Sequence, residues 1–265
     1  MGNPAARQID RIDTGPAFTQ ADADALNARF EGVSTQDMLA ALFAENAIGK
    51  VGVVSSFGTE SAVLLHLVAE ADPSVPVIFV DTLKMFDETL AYRETLVKHL
   101  GLTDSQVVQP KPEVLAAKDE SGLRWSYDPD GCCEIRKVEP LARAKSGLDA
   151  WISGRKAFQS VTRQNLPRFE VEEGRLKINP LGDWMKDDLE AYFEEHDLPR
   201  HPLEAEGFLS VGCAPCTSKV KPGEDPRAGR WRGWDKTECG IHGPSSPLPG
   251  KDDDGDLPAG YEPVF

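Results

Sequence analysis

Long apolar segments and positive charge are both scarce in this 265-residue sequence. It has no run of about 18 apolar residues, so no helix is expected to span a membrane, and its first residues lack the apolar stretch of a secretory signal. Lys and Arg number 29 against 44 Asp and Glu, which gives a net charge of -15. A surface of that sign repels nucleic-acid backbones. We therefore expect a cytoplasmic protein that binds neither membranes nor nucleic acids.

Cysteine is also rare, with five in the chain. An odd number fits poorly with a framework of disulfides, and a reducing compartment favours metal binding or catalysis instead. The five divide into two close pairs and one that stands alone: Cys132 with Cys133, Cys213 with Cys216, and Cys239. This partition predicts a metal site of four thiolates and a separate fifth thiol.

Short apolar strands alternate with helical segments through the middle of the chain. Continuously apolar strands are typical of a parallel sheet that is covered on both faces. The sequence therefore predicts an α/β fold with a parallel twisted sheet and helices on both faces. The expected strands are 51–54, 75–80, 106–108 and 148–153, followed by a small hairpin within 169–178.

The composition divides the chain into four parts. Residues 1–34 are expected to form an N-terminal arm, and residues 35–216 the α/β domain. From residue 217 onward the sequence is rich in Lys, Arg, Gly and Trp, and we expect 217–243 to be a mobile catalytic segment. Residues 244–265 are acidic and rich in Pro and Gly, which predicts a flexible tail.

A turn of small residues joins the first expected strand to the next helix. Its backbone N–H groups and hydroxyls, together with the helix dipole, suit an anion. It is not a Walker A loop, since no Gly-Lys-Ser/Thr follows, and an ordinary capped turn is the alternative. Ligands of open parallel sheets bind at the carboxyl ends of strands. Candidate substrate-binding positions at two such ends are Ser55, Ser56, Phe57, Gly58, Thr59, Glu60, Ser61, Asp81 and Thr82.

The two cysteine pairs are candidate metal ligands. The C-x-x-C spacing of Cys213 and Cys216 lets both thiolates reach one ion or cluster. Adjacent cysteines are less usual for zinc and suit separate corners of an iron–sulfur cluster. We expect Cys132 and Cys133 to begin a helix whose dipole lowers the pKa of both thiols. Structural zinc, inert buried thiols and a redox disulfide are the alternatives.

The fifth cysteine, Cys239, lies in a Gly-rich setting after a run of basic residues. Nearby Arg and Lys lower a thiol pKa, and an ionised thiol attacks sulfur without a general base. A thiol on a mobile arm can enter a cleft, react and swing out. We expect Cys239 to be the nucleophile; an incidental exposed cysteine is the alternative.

Three motifs occur in order along the chain: Cys132–Leu141, Gly212–Cys216 and Glu238–His242. They resemble those of the iron–sulfur adenylylsulfate (APS) reductases of sulfate assimilation, close relatives of the 3′-phosphoadenylylsulfate (PAPS) reductases. The resemblance covers about residues 35–243. It implies an adenine-nucleotide α-hydrolase-like (PP-loop) fold and a [4Fe–4S] cluster on the two cysteine pairs. It also implies reduction of APS to sulfite and AMP through an S-sulfonate on Cys239.

The resemblance also implies further roles. Lys137 would pair with the cluster and the substrate; a solvated surface lysine is the alternative. The remaining substrate-binding residues implied are Arg155, Lys156, Gln159, Arg163, Arg227 and Arg230. The chain has no fused thioredoxin-like domain, so thioredoxin or glutaredoxin is expected as an external reductant.

One departure from the family pattern concerns the turn after the second strand, where Leu83 replaces the usual Gly. Three other functions remain open from the residues. They are PAPS reduction, tRNA thiolation by a cluster-dependent ATP pyrophosphatase, and a zinc-stapled module that binds adenine nucleotides. The sequence is also compatible with a homo-oligomer.

Overall fold

The computed structural model of the chain describes residues 17–159 and 166–240. A six-stranded sheet in the order β3-β2-β1-β4-β6-β5 forms its centre, and only the β5–β6 pair is antiparallel. All the predicted strands and the hairpin are confirmed. The strands are β1 (Val51–Val54), β2 (Val77–Val80), β3 (Ser105–Val108), β4 (Ala150–Ser153), β5 (Phe169–Glu172) and β6 (Arg175–Ile178).

Eight α-helices surround the sheet within the described residues. The predicted helices occur with ends shifted by a few residues, except around the cysteine pair. They are α1 (Gln20–Arg29), α2 (Thr35–Ala44), α3 (Ser61–Ala71), α4 (Asp87–His99), α5 (Pro112–Lys118), α6 (Pro129–Cys133), α7 (Glu139–Lys145) and α8 (Lys186–Glu195). None of them is both long and apolar enough to cross a bilayer.

The connections between the parallel strands place the functional crevice. From β1 the chain steps outward through α3 to β2 and through α4 to β3, and it then returns past β1 to β4. Because such crossovers are right-handed, the reversal puts α7 on the face opposite α3. The loops after β1 and β4 therefore diverge, and ligands bind in the crevice at such a reversal point.

The N-terminal helix α1 covers the outer edge of the sheet. The Asn27 side chain donates to the Phe169 carbonyl at 2.8 Å and accepts from the Phe169 N–H at 3.0 Å. The Phe30 and Phe169 rings stack at 5.7 Å. These contacts occupy the outward-facing backbone groups of Phe169, so that end of the edge strand is protected from pairing with another chain.

The segment after Cys216 folds back onto the domain. Thr217 and Arg230 form an isolated antiparallel bridge, and the Trp231 N–H donates to the Cys216 carbonyl at 3.0 Å. Trp231 is 3% exposed and has a positive φ of 47°. These contacts return the chain toward the crevice just before Cys239.

Candidate functional site

A cavity of about 280 Å³ occupies the crevice at the carboxyl ends of β1 and β4. Its walls come from the turn after β1, the loop after β4, the segment 209–212 and the C-terminal segment. Most predicted substrate-binding residues and the fifth cysteine line it. These are Ser55, Ser56, Gly58, Thr59, Glu60, Ser61, Lys137, Arg155, Lys156, Gln159, Arg227, Arg230 and Cys239.

The turn after β1 has the shape of an anion cradle. Phe57 adopts a positive φ of 49°, and its N–H donates to the Ser55 hydroxyl at 3.2 Å. The helix α3 begins at Ser61 without a side-chain cap. The Ser61 N–H donates to the Gly58 carbonyl at 3.0 Å. No side chain competes with a ligand for the next N–H groups, and the positive end of the helix dipole faces the cavity.

Three predicted substrate-binding residues are not on the cavity wall. The Phe57 ring is fully buried in the core, at 5.4 Å from the Phe79 ring. The Asp81 carboxylate accepts from Leu83 N–H and Gln109, at 2.9 and 2.8 Å. The Thr82 hydroxyl lies 3.2 Å from Cys213 Sγ. Thr82 therefore supports the cysteine site, while Val80 and Met85 on either side of this turn line the cavity.

The loop after β4 contacts the turn after β1 through polar side chains, one of which is a lysine. Lys156 Nζ and Gln159 Nε2 both donate to Glu60 Oε2, at 2.7 and 2.6 Å. Arg155 Nη1 pairs with Glu170 on β5 at 2.9 Å. Arg163 lies outside the described residues.

Cys132 and Cys133 do not begin a helix, contrary to the prediction. Asp128 caps α6 by accepting from the Gly131 N–H at 2.8 Å, and Pro129 is the first helical residue. The pair thus ends α6, and one wide turn over Glu134–Val138 leads into α7. The dipole argument fails because both thiols lie beyond the first turn.

Burial governs the pKa of the adjacent pair. It raises the pKa of Cys132 to about 11 and that of Cys133 to about 12, although Arg136 and Lys137 act in the opposite sense. The expected lowering of these two pKa values is therefore wrong. Cys213 differs, since Lys137, the Thr82 hydroxyl and Arg230 outweigh its burial and hold its pKa below the usual value.

The four cysteines of the two pairs come together although about 80 residues separate the pairs. Cys132 interacts electrostatically with Cys213 and Cys216, and Cys133 interacts with Cys213 and Cys239. Among the residues that the structure describes, no three His, Cys, Asp or Glu side chains are arranged to hold a metal ion. The four thiols are thus neighbours, but in this structure they are not arranged around a single metal position.

Lys137 lies between the thiols and the cavity. Burial alone would lower its pKa, but Cys213, Cys239 and Cys133 together raise it above its ordinary value. A lysine surrounded by three cysteine sulfurs is not a solvated surface residue. Lys137 is placed to act on the lone cysteine and on the C-x-x-C pair together.

The C-terminal segment holds Cys239 at the cavity. Arg227 Nη2 donates to the Thr237 carbonyl at 2.7 Å and pairs with Glu238 at 3.3 Å. Lys236 pairs with Asp130 at the start of α6. These contacts fix the residues that precede Cys239, so the thiol faces Lys137 and Arg230 across the cavity.

Buried polar atoms without a partner concentrate at this cavity. Four such side-chain atoms occur in the described part of the chain, and three belong to residues of the cavity wall: Arg155 Nε, Arg230 Nε and Glu204 Oε2. Buried polar groups are normally hydrogen-bonded, so a cluster of exceptions indicates where a polar ligand binds. Two guanidinium donors require acceptor oxygens, and the carboxylate oxygen requires a donor.

Sequence reasoning missed several residues of the site. Arg136 forms an ion pair with Asp119, with Nε and Nη2 at 2.9 and 2.6 Å from Oδ2, and its Nη1 donates to the Thr82 carbonyl at 2.8 Å. Its position between the cysteine pair and Lys137 was the only available signal. The wall that contains Glu190, Arg200 and Glu204 carries no motif and could be found only from the fold.

Comparison with known proteins agrees with this geometry. Residues 50–219 match the model of the phosphoadenosine phosphosulfate reductase domain. The chain is 46% identical to an adenosine 5′-phosphosulfate reductase of Mesorhizobium japonicum, over 89% of this chain and 93% of that protein. It is 53% identical to an adenosine 5′-phosphosulfate reductase of a Chelativorans species, over 74% of this chain and 80% of that protein.

A solved structure has the same fold. The phosphoadenylyl-sulfate (PAPS) reductase of Candida auris, in a phosphate complex, superposes with a TM-score of 0.64 at 30% identity, over 77% of this chain and 98% of that one. The expected α/β fold of the PP-loop type is thus confirmed. From its motifs, its sheet and its relatives, this chain belongs to the phosphoadenosine phosphosulfate reductase family.

Proposed function

We propose that this protein reduces adenosine 5′-phosphosulfate to sulfite and AMP, with Cys239 as the nucleophile and an external protein dithiol as the reductant. One observation carries the proposal: Cys239 lines the same cavity as the anion cradle. Lys137 and two arginines whose Nε atoms have no partner among the described residues line it too. The names of the relatives favour APS as the substrate.

The substrate presents a sulfur crowded by negatively charged oxygens, so attack by a thiolate meets like-charge repulsion. Lys137, Arg227 and Arg230 lie where they would bind these oxygens and the departing phosphate. Preorganised cations in a cavity stabilise such developing charge strongly. In the first step the Cys239 Sγ–S bond forms, the S–O bond to the phosphate breaks, and AMP leaves with the electron pair.

The second step needs two thiols. A donor thiolate of the thioredoxin or glutaredoxin class attacks Cys239 Sγ, and sulfite leaves with the electron pair of the S–S bond. The second donor thiol resolves the mixed disulfide and frees Cys239. The sulfur is reduced by two electrons and the donor becomes a disulfide. For this step we propose that the segment 217–243 swings outward, since the attacking thiol has to reach Cys239.

We propose a [4Fe–4S] cluster as the resident cofactor of the two cysteine pairs. The donor set fits, because four thiols converge from two segments and Thr82 and Lys137 act on Cys213. The adjacent pair Cys132 and Cys133 also suits separate corners of a cluster better than the two- to four-residue spacing usual for zinc. When bound, the cluster would supply a charged scaffold beside Lys137.

The proposal is tested with Cys239→Ser. Wild-type protein, purified without oxygen and given APS but no reductant, should acquire one sulfonate, seen by mass spectrometry, and release sulfite once thioredoxin is added. The variant should bind AMP normally and form no sulfonate. Thr237→Ser, two residues away, is the matched control. Sulfite release by Cys239→Ser at the wild-type rate would refute the assignment.

Two observations separate the alternatives. The zinc-stapled module predicts a colourless protein with zinc, whereas the cluster predicts visible absorbance and iron. A tRNA-thiolating ATP pyrophosphatase predicts release of AMP from ATP in the presence of tRNA. The net charge of -15 disfavours that function, because tRNA is a polyanion.

A further inference from the structure

The cavity has two chemically different ends. The thiol end consists of Lys137, Cys213, Arg230 and Cys239, which act on one another electrostatically. The carboxylate end consists of Glu60, Glu190, Arg200 and Glu204, and the charges that act on Glu204 are the other three of this set. If the sulfonate lies beside Cys239, as the proposed function requires, the nucleoside extends toward the carboxylate end.

Glu204 differs from the other residues of the carboxylate end because one of its two carboxylate oxygens accepts no hydrogen bond from the described residues. Oε1 accepts from Arg200 Nη1 at 3.4 Å, whereas Oε2 is buried and has no partner among the described residues. Burial, Glu190 and Glu60 raise the Glu204 pKa, and Arg200 only partly offsets them. An acceptor in this position is satisfied when the ligand brings a hydroxyl or an amine.

The neighbouring cations are already occupied. Arg200 pairs with Glu190 at 2.7 Å and with Glu204, and Lys156 pairs with Glu60 at 2.7 Å. Lys186 also lines this part of the cavity, but its side chain is exposed to solvent. The carboxylate end therefore offers acceptors and negative charge, and it has few free donors for another phosphate.

We propose that Glu204 is a specificity-determining residue that accepts a hydrogen bond from the ribose 3′-hydroxyl and disfavours a phosphate at that position. The inference rests on the proposed function and adds a physical basis for selecting APS over PAPS. The chemistry has a parallel in dinucleotide-binding folds, where an acidic residue holds a free ribose hydroxyl and an arginine accommodates a phosphate. Here Glu190 and Glu204 together occupy Arg200, which is therefore not free to take the second role.

The test uses equilibrium binding of three nucleotides by calorimetry: AMP, 3′-deoxy-AMP and adenosine 3′,5′-bisphosphate. Wild type should bind AMP about tenfold more tightly than 3′-deoxy-AMP, since a hydrogen bond to a charged group is lost. Glu204→Gln should weaken AMP binding, leave 3′-deoxy-AMP unchanged and strengthen the bisphosphate. Glu206→Gln is the matched control, because Glu206 is exposed and pairs with Lys219 outside the cavity.

Kinetics supply a second readout. The ratio of kcat/KM for APS over PAPS should fall at least about tenfold in Glu204→Gln and stay unchanged in Glu206→Gln. An unchanged ratio, or equal binding of AMP and 3′-deoxy-AMP by the wild type, would overturn the inference. Because the wild-type comparison needs no variant, poor folding of Glu204→Gln leaves the test decisive. Failure of wild type to form any S-sulfonate would instead overturn the proposed function.

Discussion

The thiol end and the carboxylate end of the cavity differ in the charge that they present to a ligand. At the thiol end, Lys137 faces sulfur atoms, and burial lowers the Arg230 pKa despite the nearby Cys239 and Cys213. At the carboxylate end, Arg200 and Lys156 are each paired with a carboxylate. The thiol end can therefore bind a negatively charged group, whereas the carboxylate end is itself negatively charged. The difference teaches that a protein with a strong negative net charge can bind a polyanion if its unpaired cations are concentrated where the reaction occurs.

The largest effect is expected from the buried ion pair that supports the thiol end. Arg136 and Asp119 have side chains that are 6% and 0% exposed. Arg136→Gln leaves Asp119 buried without its charge partner, which costs about 3–5 kcal/mol in the free energy of unfolding. Urea titration measures this loss. Arg143→Gln, in an exposed pair with Glu139, should change stability by only about 0.5 kcal/mol, and equal effects of both variants would contradict the account.

Lys137→Met tests whether the thiol end acts on the reacting sulfur. Loss of one preorganised donor lowers kcat about 100- to 1,000-fold, and we expect a smaller change in the affinity for AMP. Single-turnover formation of the S-sulfonate isolates this step. Lys118→Gln, an exposed lysine outside the cavity, is the control. A normal rate of sulfonate formation in Lys137→Met would remove Lys137 from the mechanism.

The stability of the fold is expected to fall in acid because of His201, which follows Arg200 of the carboxylate end. This histidine is 1% exposed, and its ring accepts from the Leu203 N–H at 3.2 Å and contacts the Thr89 hydroxyl at 3.1 Å. Burial lowers its pKa to about 4. As pH falls from about 6.5 to 4, the unfolded chain binds a proton that the folded chain does not, so about 3 kcal/mol of stability is lost.

Thermal unfolding between pH 7 and 4 measures this dependence. His201→Gln should flatten the part of the curve that His201 contributes, at some cost in stability at pH 7. His99→Gln, at the exposed end of α4, should leave the curve unchanged. A curve that keeps its full slope in His201→Gln would assign the acid sensitivity to other groups.

The smallest effect is expected at Leu83, beside the thiol end. The residue keeps the conformation that glycine favours, with φ of 59°, and its side chain is 49% exposed. Leu83→Gly relieves left-handed strain of roughly 1–2 kcal/mol but gives the unfolded chain more freedom, so the net gain is at most about 1 kcal/mol. A shift in melting temperature measures it, and a clear loss of stability would show that the Leu83 side chain is needed.

The sequence alone determined the strands and the division of the cysteines. Buried strands such as β2 and β4 can be recognised in the sequence because each is a short run of mostly apolar residues. The C-x-x-C pair and the lone Cys239 can likewise be recognised from the few residues around them. The turn after β1 was recognised for the same reason, since its small residues stand between a strand and a helix.

Only the tertiary structure decided which charges are free and which are paired. Asp119 meets Arg136, and Glu60 meets Lys156, through folding that brings separate segments together. The pKa of Cys132 and Cys133 is set by burial, which the position of a helix did not reveal. The unused oxygen of Glu204 likewise exists only because α8, the turn after β1 and residues 200–204 meet at one wall. Ion pairing and burial depend on which residues are close in space, and the order of residues along the chain does not show this directly.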